Sequence, residues 1–129
     1  MSRSPSMSHQ SPEPAGFLPL HPLEFRILLM LLDGPSHGYA VVQEIEGREG
    51  GSGKIYPANL YRRIRDLLAK GLVEDALPPE GEFSDPRRRY FGMTELGRRV
   101  ARAETERLGD LLAEARERGL LSTAGGGRP

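Results

Sequence analysis

The sequence predicts a mainly α-helical fold with one small β-hairpin, on three observations. Apolar residues recur at helical spacing in three segments between residues 22 and 70, each bounded by proline, serine or glycine. Two short β-prone runs follow, separated by an acidic loop rich in proline and glycine. A last helical segment, residues 95–121, is longer than the core of so small a domain can cover.

The length and composition indicate one domain with two tails. The chain has 129 residues and no cysteine, so disulfides and thiolate sites are excluded. Residues 1–16 and 122–129 are poor in apolar side chains and are expected to be disordered tails. We expect a compact domain over residues 17–93 and a separate helix over 94–121. The sequence lacks a transmembrane run and a secretory signal pattern, which favours a cytoplasmic protein with no membrane partner.

The first two helices are predicted from their boundaries and their apolar spacing. The first covers residues 22–33, with Pro22 in its first turn and Gly34-Pro35 after it. Because this helix is apolar on nearly every side, we expect it to be buried on nearly every side. The second covers residues 37–48, with Ser36 as its expected N-cap.

The third helix, residues 57–70, has two different faces. Its core stripe is Leu60, Ile64, Leu67 and Leu68. Its other face carries Asn59, Arg62, Arg63 and Asp66. Pro57 starts this helix and Gly71 ends it. The helix therefore presents an aliphatic face to the core and a face led by Asn and Arg to the outside.

Residues 72–77 and 87–93 are the expected strands of the hairpin. The second strand begins with Arg87, Arg88 and Arg89. By alternation, Arg89 shares a face with Phe91, so it is a candidate to pair with a carboxylate, whereas Arg87 and Arg88 are candidates for phosphate contacts. Thr94 is the expected N-cap of the last helix.

The net charge of zero hides two basic segments. Residues 54–70 carry five basic and one acidic side chain, and the arginine triplet follows residues 71–86, the first strand and the loop, which carry five acidic and no basic ones. Three helices followed by a hairpin form a winged helix-turn-helix, in which the third helix enters the DNA major groove. Asn can read adenine and Arg guanine, while other Arg side chains hold phosphates. The candidate DNA-binding residues are Tyr39, Lys54, Pro57, Asn59, Tyr61, Arg62, Arg63, Arg65, Arg87, Arg88 and Arg89.

Five segments together resemble one family of bacterial regulators. They are residues 37–39 (HGY), 55–62 (IYPANLYR), 70–73 (KGLV), 85–91 (DPRRRYF) and 93–98 (MTELGR). In this order and spacing they resemble the PadR family, and most closely its smaller subgroup with a single C-terminal helix. The resemblance implies a winged-helix repressor that binds an operator in double-stranded DNA, dimerises through its C-terminal helix and is released by a ligand or a stress signal.

Three side chains near the expected recognition helix each have two interpretations. Tyr61 can reach a phosphate or pack beside Arg65 and Leu68. Tyr39 can contact phosphate, although core packing is slightly favoured. His37 can sense pH or contact phosphate, although a local capping role is favoured.

The last helix is the expected dimer interface. Its apolar residues repeat at helical spacing beyond the reach of the domain core, as a helix–helix seam requires. The interface residues predicted are Leu96, Val100, Leu108, Leu111, Leu112 and Ala115. Charged residues from Glu104 onward suit a water-exposed rim. A two-fold dimer would match a palindromic operator. The alternative is that this helix folds back and covers its own chain.

Other function classes are weaker. The sequence shows no nucleophile–base pair, metal cluster or cofactor loop, so we expect neither an enzyme nor a cofactor. A protein-interaction adaptor, which uses the basic face and the last helix to dock partners, is the second hypothesis.

Overall fold

The computed structural model describes residues 13–49, 57–78 and 88–121. Its helices are α1 (Pro22–Leu31), α2 (Gly38–Glu49), α3 (Pro57–Lys70) and α4 (Glu95–Glu117). Its strands are β1 (Ser36–His37), β2 (Val73–Ala76) and β3 (Tyr90–Met93), and a 3-10 turn, Pro14–Phe17, precedes α1. This order confirms the predicted fold class, a winged helix-turn-helix followed by a long C-terminal helix.

Helix α1 begins with a reciprocal cap. The backbone N–H of Leu23 donates to His21 Nδ1 at 3.0 Å, and the backbone N–H of His21 donates to Glu24 Oε1 at 3.3 Å. Both donors lack partners within the helix, so the cap fixes where the helix starts. The helix ends at Leu31, before Gly34, whose φ of 129° lies in a region that glycine tolerates best.

The core joins all four helices and the sheet. Its fully buried side chains include Ile27 and Leu28 of α1, Leu60 and Leu67 of α3, and Val100 of α4. The predicted stripe of α3 is confirmed, because Leu60, Ile64 and Leu67 are buried and Leu68 packs against them.

The expectation that α1 is buried on nearly every side is wrong. Leu29 is 43% exposed and Leu32, just after the helix, is 44% exposed. In contrast, the charged residue Glu24 is only 1% exposed. Lys70 at the end of α3 makes this possible, because its Nζ lies 2.8 Å from Glu24 Oε2.

The sheet has a third strand that the sequence did not reveal. The strand order is β1-β3-β2, with both pairs antiparallel; Ser36 pairs with Phe91, and Val73 pairs with Met93. Ser36 is therefore a strand residue, and its prediction as the cap of α2 is wrong. The cap is His37, whose Nδ1 accepts the backbone N–H of Ala40 at 3.2 Å. This bond confirms the capping role favoured for His37.

Helix α4 is attached to the domain at its first turn. Thr94 is its N-cap as predicted: its Oγ1 accepts the N–H of Gly97 at 2.9 Å and donates to the carbonyl of Gly71 at 2.7 Å. Gly97 lies against the backbone carbonyl of Leu72, where a Cβ would not fit. The helix ends at Glu117, earlier than residue 121, because Gly119 takes a positive φ of 88°.

The 3-10 turn Pro14–Phe17 packs against α4, and Phe17 packs against the core. Regular structure therefore begins at Pro14, although residues 1–16 were expected to be disordered. Among the described residues, no helix combines the length and apolar character needed to cross a membrane.

Candidate nucleic-acid interface

The exposed face of α3 carries most of the residues predicted to contact bases. Its aliphatic face is buried, which directs Asn59, Tyr61, Arg62 and Arg65 outward, and each of them is exposed, as is Pro57 at the helix start. Arg62 Nη2 donates to Asn59 Oδ1 at 3.4 Å. The two side chains therefore lie side by side at the N-terminal half of the helix, which in this fold is the part that contacts base edges.

Arg63 lies at the border of this face. Its side chain is 27% exposed, and its Nη1 lies 3.5 Å from Asp66 Oδ2, one turn further along α3. The sequence placed Arg63 beside Arg62 without distinguishing the two. The structure distinguishes them, because Arg63 already has a carboxylate partner within its own helix.

Tyr61 connects α3 to the start of α2. Its ring lies over Gly38, so close that a Cβ on Gly38 would come within 2.5 Å of Tyr61 Cε1. Tyr61 is still 40% exposed, and it lines a cleft of about 380 Å³ together with Arg65 and Leu68. The contact that the structure gives Tyr61 is thus with Gly38, and its reach to a phosphate stays a prediction.

The same cleft brings α2, α3 and β3 together. Its lining is His37, Gly38, Tyr39, Tyr61, Ile64, Arg65, Leu68, Arg88, Arg89 and Phe91. Tyr39 is 54% exposed there, so the core-packing interpretation favoured for this residue is wrong. The lining combines aromatic rings with three arginines, and such a basic surface suits an anionic partner.

The two described arginines of the triplet have different contacts. Arg88 Nη1 lies 2.8 Å from His37 Nε2, and its guanidinium lies over the Tyr39 ring, 5.8 Å from the centroid. Arg89 Nη2 and Nε lie 2.6 Å and 3.1 Å from Asp75 Oδ1, and its guanidinium lies 5.2 Å from the Phe91 ring centroid. The pairing of Arg89 with a carboxylate, inferred from strand alternation, is confirmed. Lys54 and Arg87 lie outside the described residues.

The predicted dimer-interface residues fall into two groups. Val100 is fully buried in the chain's own core and Leu96 packs against that core, so we leave these two out of the interface. Leu108, Leu111 and Leu112 are 38%, 50% and 46% exposed, and Ala115 is half-buried. The alternative in which α4 folds back over its own chain does not hold for these leucines.

One member of the expected charged rim is buried. Glu104 is 2% exposed, and its Oε1 and Oε2 each accept a 2.8 Å hydrogen bond from Arg107. These bonds lower the pKa of Glu104 and raise the pKa of Arg107, against the opposing effect of burial. Spacing alone did not reveal this, because the backbone of Leu20 reaches Glu104 with a hydrogen bond only in the folded chain.

Three solved structures with this fold illustrate what the chain is similar to. A PadR family transcription regulator from Clostridium difficile is 14% identical, with a TM-score of 0.62 over 75% of this chain and 97% of that one. A transcriptional regulator from Clostridium thermocellum is 18% identical, with a TM-score of 0.61 over 93% of this chain and 100% of that one. A variant of ZitR from Lactococcus lactis is 19% identical, with a TM-score of 0.58 over 78% of this chain; this chain spans only 60% of its length.

The comparison that decides the family is with a sequence model of the transcriptional regulator PadR-like family. It matches residues 27–103, which is more than half of the chain and extends from the second half of α1 into the first half of α4. No curated protein matches the chain. With the helical order, the three-stranded sheet and this match in agreement, the chain belongs to the PadR-like family of transcriptional regulators.

Proposed function

We propose that this protein is a dimeric, sequence-specific DNA-binding repressor. The observation that carries the proposal is one cleft that two arginine-bearing segments share. The first segment is the exposed face of α3, whose Tyr61 and Arg65 line the cleft, and the second is the segment just before β3, whose Arg88 lines it too. In a winged helix-turn-helix, the first would enter the major groove while the second follows the phosphate backbone.

The roles of the individual side chains follow from their chemistry. A bidentate arginine reads guanine and an asparagine reads adenine, so Arg62 and Asn59 are the proposed base-reading residues. Arg65 and Arg88 are proposed to bind phosphates. Arg89 is held by Asp75, so we assign it to the wing itself and remove it from the direct DNA contacts.

The apolar stripe of α4 supports a dimer. Leu108 also borders a second groove of about 360 Å³, which is lined with Leu20, Phe25 and Leu29. A second copy of α4 would cover both the stripe and the groove, and removal of these leucines from water would stabilise the pair. The resulting two-fold axis would present two α3 helices to a palindromic operator in double-stranded DNA.

We propose repression, and release of the protein from its operator, because the chain belongs to the PadR-like family. In this proposal the protein occupies an operator in the cytoplasm until a small-molecule effector or a stress signal lowers its affinity. The adaptor hypothesis, in which the basic face docks an acidic protein, remains the competing outcome of the experiment below.

The test is selection of bound duplexes from a random pool, followed by affinity measurements on the selected sequence. We expect Arg62→Ala to cost about 1–3 kcal/mol of binding free energy, because one base contact is lost. Arg102→Ala is the matched control, because Arg102 is an exposed arginine on α4. Binding should weaken steeply with salt as phosphate contacts release counterions. Equal affinity of wild type and Arg62→Ala would show that α3 does not read the operator.

A further inference from the structure

Helix α3 ends in a glycine motif that fixes the path of the chain. The N–H of Gly71 donates to the carbonyl of Leu68 at 3.1 Å, and the N–H of Leu72 donates to the carbonyl of Leu67 at 3.0 Å. Gly71 has a φ of 79°, which glycine adopts without strain. These two bonds form a Schellman motif. The directions of the Gly71 and Leu72 carbonyls are therefore set by the end of α3.

Both of these carbonyls accept hydrogen bonds from Thr94, the N-cap of α4. The Thr94 hydroxyl donates to the carbonyl of Gly71 at 2.7 Å, and the Thr94 backbone N–H donates to the carbonyl of Leu72 at 3.1 Å. The hydroxyl oxygen also accepts the N–H of Gly97, in the first turn of α4, at 2.9 Å. One hydroxyl group thus uses its hydrogen for the end of α3 and a lone pair for the start of α4.

This junction lies at the end of α3 that is remote from the proposed base-reading residues. Lys70, the last residue of the helix, also bonds there to the buried Glu24 of α1, with 2.8 Å between Nζ and Oε2. Asn59 and Arg62 lie in the opposite half of α3 and are exposed. The end of α3 that does not read bases is therefore the one bonded to α4.

Small rotations at this junction have a large effect because α4 is long. The helix has 23 residues, and its distal leucines meet the partner in the proposed dimer. At about 35 Å of length, a rotation of about 5° at Thr94 displaces the far end of α4 by about 3 Å. Successive base pairs of DNA are about 3.4 Å apart. Such a rotation therefore changes the distance between the two α3 helices of a dimer by roughly one base-pair step.

We propose that Thr94 is a positioning residue that sets the spacing between the two half-sites of the operator. Its hydroxyl holds α3 at a fixed angle to α4, and α4 joins the two protomers. The inference rests on the proposed function, and it assigns Thr94 no contact with DNA. A dimer that meets half-sites at a different spacing has to break the bond between Thr94 and Gly71 at one or both junctions.

Substitutions at Thr94 separate this link from helix capping. Thr94→Asp keeps an oxygen that accepts the N–H of Gly97, and Asp is among the best N-cap residues. An ionised carboxylate has no hydrogen to donate, so the bond to the Gly71 carbonyl is lost. Thr94→Gly also lacks the hydroxyl and is tolerated at an N-cap, so it repeats the test with an uncharged residue. Thr94→Ser keeps both bonds and is the matched control.

The experiment compares the selected operator with duplexes that have one base pair added or removed between the half-sites. Wild type and Thr94→Ser should bind the altered duplexes at least about tenfold more weakly, which corresponds to one broken hydrogen bond. Thr94→Asp and Thr94→Gly have no such bond to break, so they should bind the altered and the selected duplexes within about threefold of each other. The inference fails if wild type has no spacing preference, or if both of these variants keep it.

Base preference within a half-site separates the link from direct DNA contact. Thr94→Asp should discriminate against a changed base as wild type does, whereas Arg62→Ala should lose base discrimination and keep the spacing preference. If Thr94→Asp matches wild type on spacing while Arg62→Ala loses base discrimination, the inference is wrong and the proposed function stands. If wild type selects no duplex, the proposed function itself fails.

A measurement on the free dimer tests the link without DNA. The chain has no cysteine, so Ala58→Cys, at an exposed position at the start of α3, provides one spin-label site in each protomer. The distribution of distances between the two labels should be broader with Thr94→Asp than with wild-type Thr94 or with Thr94→Ser. Equal widths in all three proteins would overturn the inference, whereas the absence of any distance between labels in the wild-type background would contradict the dimer and thus the proposed function.

Discussion

Two carboxylates, Glu24 and Glu104, are buried among the described residues, and each is held by a basic side chain. Lys70 comes to Glu24 from 46 residues away in sequence, whereas Arg107 is one helical turn from Glu104. Burial of a charge is tolerated only with such partners. Both residues therefore tie segments of the chain together: Glu24 links α1 to the end of α3, and Glu104 fixes α4 beneath the backbone of Leu20.

We expect Glu104 to contribute to acid sensitivity. The hydrogen bonds from Arg107 lower its pKa below the ordinary value of 4.5. A lowered folded-state pKa contributes stability above the unfolded pKa, and this stability is lost as the pH falls through the folded pKa. The free energy of unfolding, measured by urea titration at neutral and acidic pH, should therefore fall less steeply on acidification in Glu104→Gln than in wild type. Parallel pH curves for the two proteins would contradict this.

For single residues, the alternation of side chains along β3 predicted the partner of Arg89, whereas helix spacing did not predict the burial of Glu24. The pairing of Arg89 could be predicted because period-two alternation places it beside Phe91, on the face where β2 supplies Asp75. The burial of Glu24 could not, because its partner Lys70 is adjacent only once α1 and α3 have packed.

At the level of the elements, long periodic segments were predicted well and short ones were missed. Helix α3 has 14 residues with a repeating aliphatic stripe, and both its bounds and its buried face are as expected. Strand β1 has two residues, too few to show any periodicity, so it became visible only through its pairing with β3. Its omission also led to the wrong cap, since Ser36 has the side chain of a capping residue but the position of a strand residue.

The junction between β2 and α4 depends on a close backbone approach at Gly97. A Cβ at this position would meet the carbonyl oxygen of Leu72, which cannot move without displacing the strand entry. We expect Gly97→Ala to lower the free energy of unfolding by about 1–3 kcal/mol, because the added methyl group would overpack this contact.

Gly109 on the same helix is the matched control for that substitution. Nothing lies within 4 Å of the site of its Cβ, so Gly109→Ala should stabilise α4 by about 0.5–1 kcal/mol through helix propensity alone. Thermal unfolding of the two variants should shift in opposite directions. A shift of the same sign and size would mean that the approach of Gly97 to Leu72 does not constrain the junction.

In the whole molecule, the exposed basic residues and the exposed apolar residues lie in two different places. The cleft between α2, α3 and β3 collects arginines and exposed tyrosines, and the distal part of α4 collects exposed leucines. Helix α4 has 23 residues, or about 35 Å at 1.5 Å per residue, so its far end lies well beyond the core that its first turns complete. The sequence predicted exposed leucines on the distal part of this helix, but it also assigned Leu96 and Val100 to the interface, and the structure packs both with the core.

The exposed stripe makes a strong prediction about assembly. Leu108→Glu combined with Leu112→Glu places two charges where two apolar side chains would meet in a dimer. The double variant should be a folded monomer with the circular dichroism spectrum of wild type and much weaker operator binding, because a monomer contacts one half-site only. A matched change outside the stripe, Glu106→Gln with Arg102→Gln, should leave the assembly unchanged.

The central claim, that two copies of this chain read one operator, is tested most directly by sedimentation velocity of the wild-type protein alone and with the selected duplex. The account predicts a dimer at micromolar concentration and a complex of two chains per duplex. A monomer at that concentration, or one chain per duplex at saturation, would contradict it.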